Sequence, residues 1–304
     1  MVKSKTRKQR KGKIPLPGAC QCHPRIGDER PKYGCLPPNV LGHIAQKAGV
    51  STARKSPEQI RRELEHKFQV SEGAEYSFLS AAPLEQEERA NYVKQYLRPK
   101  QPDAWKKDPD QWLDSSNIEN VMKQYEEMDP KFEFMGPFPI DFAAPDPYKG
   151  GGKCLIQEMC SMRILESMKK GIQKIGIIYN LDPHYKGGSH WIANFIDIPS
   201  HRCYYFDSYG MKPPKQIETF MKWLTTQDPS LRLAYNARRF QFNGSECGMY
   251  CLFVTICLIK GRSFYNICKK VVDDDTMNSF RDILFSTGTP RQKAIEEALP
   301  RLCI

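Results

Sequence analysis

Hydrophobic residues recur at helical spacing in two early segments of the chain. Residues 39–50, NVLGHIAQKAGV, have an apolar face, and residues 56–70 show the same period. The second segment begins with Ser56, a residue type that caps helix N-termini, and Pro57, which suits the first helical position. Residues 71–104 are polar and lack a clear period, so they predict a connector with one helix near 85–97. The first hundred residues therefore predict a small helical unit.

The pattern changes after about residue 105. Residues 112–128 predict an amphipathic helix whose apolar face carries Ile118, Val121, Met122 and Tyr125. Four strand-like segments follow, at 175–181, 190–198, 202–210 and 231–237. Helices are predicted at 214–227, from Cys247 to about Ile259, and at 274–285. Strands and helices in mixed order predict an α+β layered fold.

The positive charge of the chain lies in its first third. The net charge is +11, and residues 1–100 hold 20 Lys and Arg against 10 Asp and Glu. Residues 1–13 carry seven basic residues and no acid, which predicts a disordered basic arm. Such an arm (Lys3–Lys13) can neutralise phosphates of a nucleic acid, act as an import signal, or stay solvated. No apolar run approaches the roughly 20 residues of a membrane span, so we expect no membrane partner.

Cysteine usage predicts a reducing environment. The eleven cysteines are odd in number and irregularly spaced, which favours free thiols over a disulfide framework. One cluster, Cys20, Cys22, His23 and Cys35, raises the question of zinc. Its C-x-C-H spacing lacks the usual zinc-binding pair, so we expect no metal while leaving that cluster open.

The segment RRFQFNGSECGMYCLF, residues 238–253, singles out Cys247. The apolar run after it predicts a buried helix with Cys247 at its N-terminus, where unpaired N–H groups and the helix dipole favour a thiolate. Gly248 offers no side chain to obstruct a substrate. Cys251 and Cys257, further along the helix, are expected to be core residues, which is the commoner fate of a cysteine. Cys247 is therefore the candidate nucleophile.

A nucleophilic thiol needs a base, a group that orients the base, and donors for an oxyanion. His190 begins a strand-like run, whereas its competitor His184 lies within the preceding loop. Asp207 follows the next predicted strand, so two adjacent strands can bring it beside His190 and fix the imidazole tautomer. Gln241 can supply an amide donor next to the backbone N–H of Cys247. A Cys-His-Asp triad with Gln241 is predicted.

These segments together resemble the cysteine proteases that process SUMO and other ubiquitin-like modifiers, and the related adenovirus-type endopeptidases. The likeness rests on SHWIANFIDI, YYFDSYG and QFNGSECGMYC, and on the entry helix WLDSSNIENVMKQY. The family's entry-helix motif has an aspartate at the position that Ser115 occupies in this chain. Asp114 lies one residue before that position. The resemblance covers roughly residues 110–286 and is nearest to the maturation proteases of large cytoplasmic DNA viruses.

The resemblance implies a papain-like, adenovirus-protease-like fold with a mixed sheet flanked by helices and a helical N-terminal extension. It implies a cysteine endopeptidase without a cofactor that cuts after Gly-Gly motifs of viral structural polyproteins during virion maturation. Trp112 and Trp191 resemble the aromatic pair that encloses the glycines; ordinary core packing is the alternative for both. The expected location is the virion and host cytoplasm.

The resulting domain prediction has four parts: the arm 1–13, the extension 14–104, the catalytic domain 105–290 and a tail 291–304. Two other functions stay open. One is an isopeptidase that removes a SUMO-like modifier from conjugates. The other, from a different class, is a nucleic-acid-binding virion protein with an inactive protease fold, suggested by the basic first third of the chain.

Overall fold

A five-stranded mixed sheet organises the larger part of the molecule. The computed structural model describes residues 21–27, 30–147 and 152–286. The strands lie side by side in chain order: β1 Phe132–Pro139, β2 Lys174–Asn180, β3 Trp191–Asp197, β4 Arg202–Phe206 and β5 Arg232–Tyr235. The two outer pairs, β1 with β2 and β4 with β5, are parallel, and the inner pairs are antiparallel.

The described residues also form helices before, between and after the strands. These are α1 Pro38–Lys47, α2 Pro57–Phe68, α3 Glu75–Ala81, α4 Gln86–Tyr96, α5 Ser115–Met128, α6 Gln157–Ser161, α7 Ile164–Lys169, α8 Lys215–Gln227, α9 Cys247–Ile259, α10 Phe264–Lys269, α11 Asp274–Ser279 and α12 Arg281–Leu284. Short 3-10 helices cover Pro24–Ile26 and Asp103–Lys106. The predicted α+β class with a helical N-terminal region is confirmed.

The alternation of strand side chains separates two hydrophobic cores. On one face, Ile178 of β2 and Phe195 of β3 pack with α5 and α9. On the other face, Ile177 and Ile196 pack with α8. Every residue of α9 is buried, as its continuous apolar sequence predicts. The sheet domain, residues 105–286, is therefore a layered structure whose central helix begins at the candidate nucleophile.

Helices α1–α4 surround a separate hydrophobic core, and with residues 21–27 we call them the N-terminal unit. The capping box predicted at Ser56 is present, since its hydroxyl accepts from the backbone N–H of Gln59. A disulfide joins Cys22 to Cys35 within this core, and a second joins Cys154 to Cys160. The expectation of free thiols throughout was therefore wrong for four cysteines. Spacing along the chain did not reveal that both members of the first pair enter one small core.

Several elements differ from the sequence predictions for local reasons. Helix α3 was not predicted because the segment around it is polar and has no clear period. Tertiary packing buries two of its residues, Phe78 and Leu79. Strand β1 was missed because its sequence contains Gly136, Pro137 and Pro139, which ordinarily argue against a strand. The short helices α6, α7 and α10 were missed as well. The single helix predicted at 274–285 is divided into α11 and α12 at Phe280.

The basic arm 1–13 and the tail 291–304 lie outside the described residues, so the predicted domain boundaries remain predictions. Among the residues that the structure describes, no helix combines the length and apolar character that crossing a bilayer requires.

Candidate active site

The sheet brings His190 and Asp207 to one end of two neighbouring strands. His190 immediately precedes β3, and Asp207 immediately follows β4. Because these strands are antiparallel, with Ala193 opposite Phe206, the start of one lies beside the end of the other. Strand β4 ends earlier than the predicted 202–210, which places Asp207 in the turn that follows it. The two side chains thus meet at a sheet end, where the core borders the surface.

The His190 imidazole lies between an acid and the candidate nucleophile. Its Nε2 is 2.8 Å from Oδ1 of Asp207, and the ring also lies close to the Cys247 side chain. Burial by itself would lower the pKa of His190, but the hydrogen bonds and the attraction of Asp207 and Cys247 raise this pKa from 6.5 to about 9. The geometry therefore favours the imidazolium at neutral pH. Tyr209 stacks on the ring, with centroids 4.6 Å apart.

Asp207 is fixed by groups that leave little freedom to its carboxylate. It is buried, and its Oδ1 accepts a second hydrogen bond from the backbone N–H of Tyr209 at 2.8 Å. Asn236 binds both backbone groups of Asp207: its Oδ1 accepts from the N–H, and its Nδ2 donates to the C=O. His190 and Asp207 therefore form one pre-organised pair.

Cys247 is the first residue of α9 and is 2 % exposed. The thiol therefore lies where the free N–H groups of the first turn converge, and an anionic sulfur is stabilised there. Cys251 and Cys257 are buried in the same helix, and burial raises the pKa of Cys257 to about 12. They have the character of core thiols, as their positions in the sequence suggested.

Gln241 is completely buried and its amide orientation is fixed at both ends. Its Oε1 accepts from the Ser208 hydroxyl at 2.6 Å, and its Nε2 donates to the carbonyl of Asn243 at 2.7 Å. The backbone of the same segment is held by Asp274, whose Oδ2 accepts from the N–H groups of Phe242 and Asn243. The segment that precedes the nucleophile is thus rigidly attached to the protein.

A cleft of about 430 Å³ lies against this site and contains both predicted tryptophans in its walls. Trp112 is 47 % exposed, whereas Trp191 is mostly buried and its Nε1 donates to the carbonyl of Leu113. Gly248 is buried against the same wall: a Cβ atom there would come within 3.1 Å of the Leu113 side chain and 3.2 Å of Trp191. The structure thus gives Gly248 a packing role, namely the close approach of α9 to the cleft wall, which the sequence interpretation had not included.

The competing histidine also lines the cleft, but it has a different partner. Nδ1 of His184 is 2.7 Å from Oδ2 of Asp141, and its backbone N–H binds the same carboxylate. Of the two candidate histidines, His190 is the one that lies close to Cys247, whereas His184 is paired with Asp141. In the other open cluster, Cys22 and Cys35 are joined and Nδ1 of His23 accepts from Arg25, while Cys20 lies outside the described residues. This arrangement does not fit zinc.

Several buried groups at the site were not found from the sequence. Asp273 caps α11, whereas its neighbour Asp274 supports the Gln241 segment. Glu246 and Arg281 form a buried ion pair directly beside Cys247. These partners are about 30 residues apart in the chain, and no local pattern marks such a pairing.

Comparisons with known proteins agree with this geometry. Residues 172–286 match the Ulp1 protease family, C-terminal catalytic domain. A protein of Acanthamoeba polyphaga mimivirus that is named as a thiol protease is 32% identical over 185 residues, 58% of this chain and 57% of that protein. A cysteine protease of African swine fever virus is 28% identical over 128 residues, 40% of this chain and 46% of that protein.

The chain thus spans about half the length of the curated relatives it matches. A crystal structure of the African swine fever virus protease superposes on 90% of this chain and 98% of its own, with a TM-score of 0.60 and 19% identity, which shows a shared fold. Residues 172–286 are therefore similar to the catalytic domain of the Ulp1 protease family, and the relatives that the chain matches are named as thiol or cysteine proteases.

Proposed function

We propose that the protein is a cysteine endopeptidase that cuts peptide bonds after Gly-Gly-type motifs. Cys247 is the nucleophile, His190 the base, Asp207 the residue that orients the base, and Gln241 an oxyanion donor. The observation that carries the proposal is the buried His190 ring, which is hydrogen-bonded to Asp207 and lies close to the thiol that begins α9.

In the proposed resting state the Cys247 thiol has already given its proton to His190, so that a thiolate lies beside an imidazolium before the substrate binds. The sulfur attacks the carbonyl carbon of the scissile bond, and the carbonyl oxygen becomes an oxyanion. His190 then gives its proton to the leaving amine as the C–N bond breaks, which leaves an acyl-enzyme. Water, deprotonated by His190, releases the acyl group and regenerates the thiol.

Two donors suit the oxyanion. The Cys247 backbone N–H lies in the first turn of α9, where it has no partner within the helix. The Gln241 amide has two N–H groups, of which one binds Asn243. The second is the donor we assign to the oxyanion. Because Ser208 fixes Oε1 of Gln241, the amide cannot present its oxygen to the site without breaking that bond.

Glycine specificity follows from the cleft. Trp112 and Trp191 both line it, and the backbone approach at Gly248 brings α9 against the same wall. A slot between aromatic rings admits the residues next to the scissile bond only if they lack side chains. Gly-Gly-Xaa sites of viral structural polyproteins are therefore the proposed substrates. They would be cut during virion maturation, in the virion and the host cytoplasm, and the arm Lys3–Lys13 is the segment we would test for nucleic-acid binding.

A peptide assay tests the endopeptidase. The protein should cleave a Gly-Gly-Xaa peptide after the second glycine, and Cys247→Ala should be inactive while unfolding at the same temperature. Replacing the second glycine by alanine should prevent cleavage. Absence of cleavage by the wild-type protein, or equal cleavage by Cys247→Ala, would refute the proposal.

A second candidate function is removal of a SUMO-like modifier from conjugates, and the family match of residues 172–286 favours it. The two functions differ in what they recognise, since an isopeptidase requires the folded modifier as well as its Gly-Gly tail. A modifier with a C-terminal electrophile should then label Cys247, while short Gly-Gly peptides stay uncut.

A further inference from the structure

A buried ion pair connects the nucleophile to the opposite wall of the cleft. Glu246 immediately precedes Cys247 and is 1 % exposed, and Arg281 of α12 is 2 % exposed. The guanidinium binds both carboxylate oxygens, with Nε to Oε2 at 3.1 Å and Nη2 to Oε1 at 2.8 Å. Asn278 adds a third hydrogen bond, to Oε1, at 3.1 Å. The residue before the nucleophile is thus fixed by a bidentate charged contact and by the Asn278 amide.

The remaining nitrogen of the same guanidinium binds the cleft wall. Nη1 of Arg281 donates to the carbonyl of Gln111 at 2.7 Å, and Gln111 is the residue before Trp112. The guanidinium also lies over the Trp105 ring, 4.6 Å from its centroid, and Trp105 begins the same stretch of chain. One side chain therefore holds the segment that carries Trp112 and the segment that carries Cys247.

These contacts close a ring around the site. Cys247 lies close to His190, His190 is followed by Trp191, and Trp191 donates a hydrogen bond to the carbonyl of Leu113. Gln111 lies two residues before Leu113, and its carbonyl accepts a hydrogen bond from Arg281. Arg281 in turn binds Glu246, the residue before Cys247, and this contact closes the ring. Without the arginine, three links between the nucleophile and this stretch of chain would stay: the packing of Gly248, the Trp191–Leu113 hydrogen bond, and Asn278, whose amide donates to both Asp110 and Glu246. Of these contacts, only the Arg281 guanidinium reaches the carbonyl of Gln111, the residue before Trp112.

We propose that Arg281 is a positioning residue with two separable tasks: its Nε and Nη2 hold Glu246 and thereby aim Cys247, and its Nη1 holds Gln111 and thereby places Trp112 for substrate binding. The inference rests on the proposed function, because it assumes that Cys247 attacks and that the cleft binds the peptide. A merely structural ion pair would affect both properties together, through stability.

Two variants separate the tasks. Arg281→Lys keeps a cation against Glu246 but loses the fork that also reaches Gln111, so KM should rise about tenfold while kcat stays within about twofold. The double variant E246M/R281M replaces the pair by apolar side chains of similar size, which buried pairs commonly tolerate without loss of stability. It should lower kcat as well, by about tenfold, because the thiol is no longer aimed.

Two readouts need no turnover. Alkylation of Cys247 by iodoacetamide should keep its wild-type rate in Arg281→Lys and slow about tenfold in E246M/R281M. Hydrogen exchange of residues 106–113 should increase in both variants. If the wild-type protein cut no peptide, the proposed function would fail, and these two readouts would still decide the positioning role.

Arg61→Lys in the N-terminal unit is the matched control, since Arg61 is an equally buried partner of two carboxylates far from the cleft. It should leave KM, alkylation rate and exchange of 106–113 unchanged. The proposal is overturned if Arg281→Lys changes neither KM nor exchange, or if it slows alkylation as much as the double variant. It is also overturned if all effects of the variants scale with loss of thermal stability.

Discussion

The N-terminal unit and the sheet domain each bury an arginine against carboxylates, but the surroundings differ. In the first, Arg61 binds Glu65 at 2.7 Å and Glu75 at 2.9 Å, and its guanidinium lies over the Phe78 ring. In the second, Arg281 binds Glu246 beside Cys247. The Arg61 cluster connects only segments of its own unit, whereas the Arg281 pair borders a thiol, an imidazole and a cleft.

This difference separates buried polar groups that stabilise the fold from buried polar groups that belong to the candidate active site. A unit of fewer than a hundred residues builds a small core, so it relies on additional links such as a disulfide and buried ion pairs. The sheet domain has two larger cores, and its buried polar groups His190, Asp207 and Gln241 gather at one sheet end. Substitutions in the two regions should therefore separate stability from activity.

The largest effect is expected from His190→Ala. Removing the base takes away both proton transfer and the partner of the thiolate, so kcat/KM should fall by about 10⁴-fold. The free energy of unfolding should change by no more than about 1–2 kcal/mol, as for most single substitutions. Steady-state kinetics and urea unfolding measure the two quantities. Substantial residual activity would transfer the role of base to another group, with His184→Ala as the control.

Arg61→Met should show the opposite behaviour. It leaves Glu65 buried without its cation and leaves Glu75 with Arg30 as its remaining cation, which costs about 3–5 kcal/mol of unfolding free energy. Activity per folded molecule should be unchanged, because the cluster does not contact the sheet end. Chemical unfolding followed by circular dichroism gives the first quantity, and active-site titration of Cys247 normalises the second. A fall in normalised kcat/KM would show that the N-terminal unit takes part in the reaction.

Breaking the Cys22–Cys35 disulfide should also act on the N-terminal unit alone. The bond closes a loop with a sequence separation of 13, and the chain-entropy estimate for that length is about 3 kcal/mol. Cys22→Ser with Cys35→Ser should lose about this amount of stability and keep its activity. The matched control removes Cys154–Cys160, whose separation of 6 predicts a smaller loss, about 2 kcal/mol. Equal losses would contradict the loop-length explanation.

The pH dependence of kcat/KM tests the contact between His190 and Asp207 at the end of the sheet. With the His190 pKa raised to about 9, the imidazolium persists through neutral pH and is lost above that value, so kcat/KM should decline on the alkaline side near pH 9. Asp207→Asn removes one of the two hydrogen bonds that raise this pKa. Losing a hydrogen bond to a charged group, about 1.5–3 kcal/mol, should move the alkaline limb down by about one to two pH units. A limb that stays in place would mean that Asp207 does not control the protonation of His190.

Whether a feature can be predicted from the sequence depends on how far apart along the chain the interacting residues lie. Helix α9, the apolar face of α5 and the strands β2–β4 follow from local periodicity, and the antiparallel order of β3 and β4 makes a meeting of His190 with Asp207 a reasonable hypothesis. The Arg281–Glu246 pair and the support of Asp274 depend on contacts across about 30 residues or more. Strand β1 contradicts its own local signals, and the disulfide of Cys22 with Cys35 follows from packing of the N-terminal core. Such features are set by tertiary structure.

The smallest difference is expected at two helix caps of the same design. Ser56 and Asp114 each form a capping box with the residue three places on, at the starts of α2 and α5. Ser56→Ala and Asp114→Ala should each cost about 1 kcal/mol of unfolding free energy.

Asp114 also lines the cleft between Leu113, which binds Trp191, and the first turn of α5. Fraying that turn should therefore loosen the cleft wall, so Asp114→Ala alone should raise KM, by about two- to fivefold, with kcat unchanged. Peptide kinetics on the two variants, matched in stability by urea titration, compare a cap that only stabilises with a cap that also shapes the cleft. An equal KM in both would mean that the wall is held by the Trp191 and Arg281 contacts without help from the helix end.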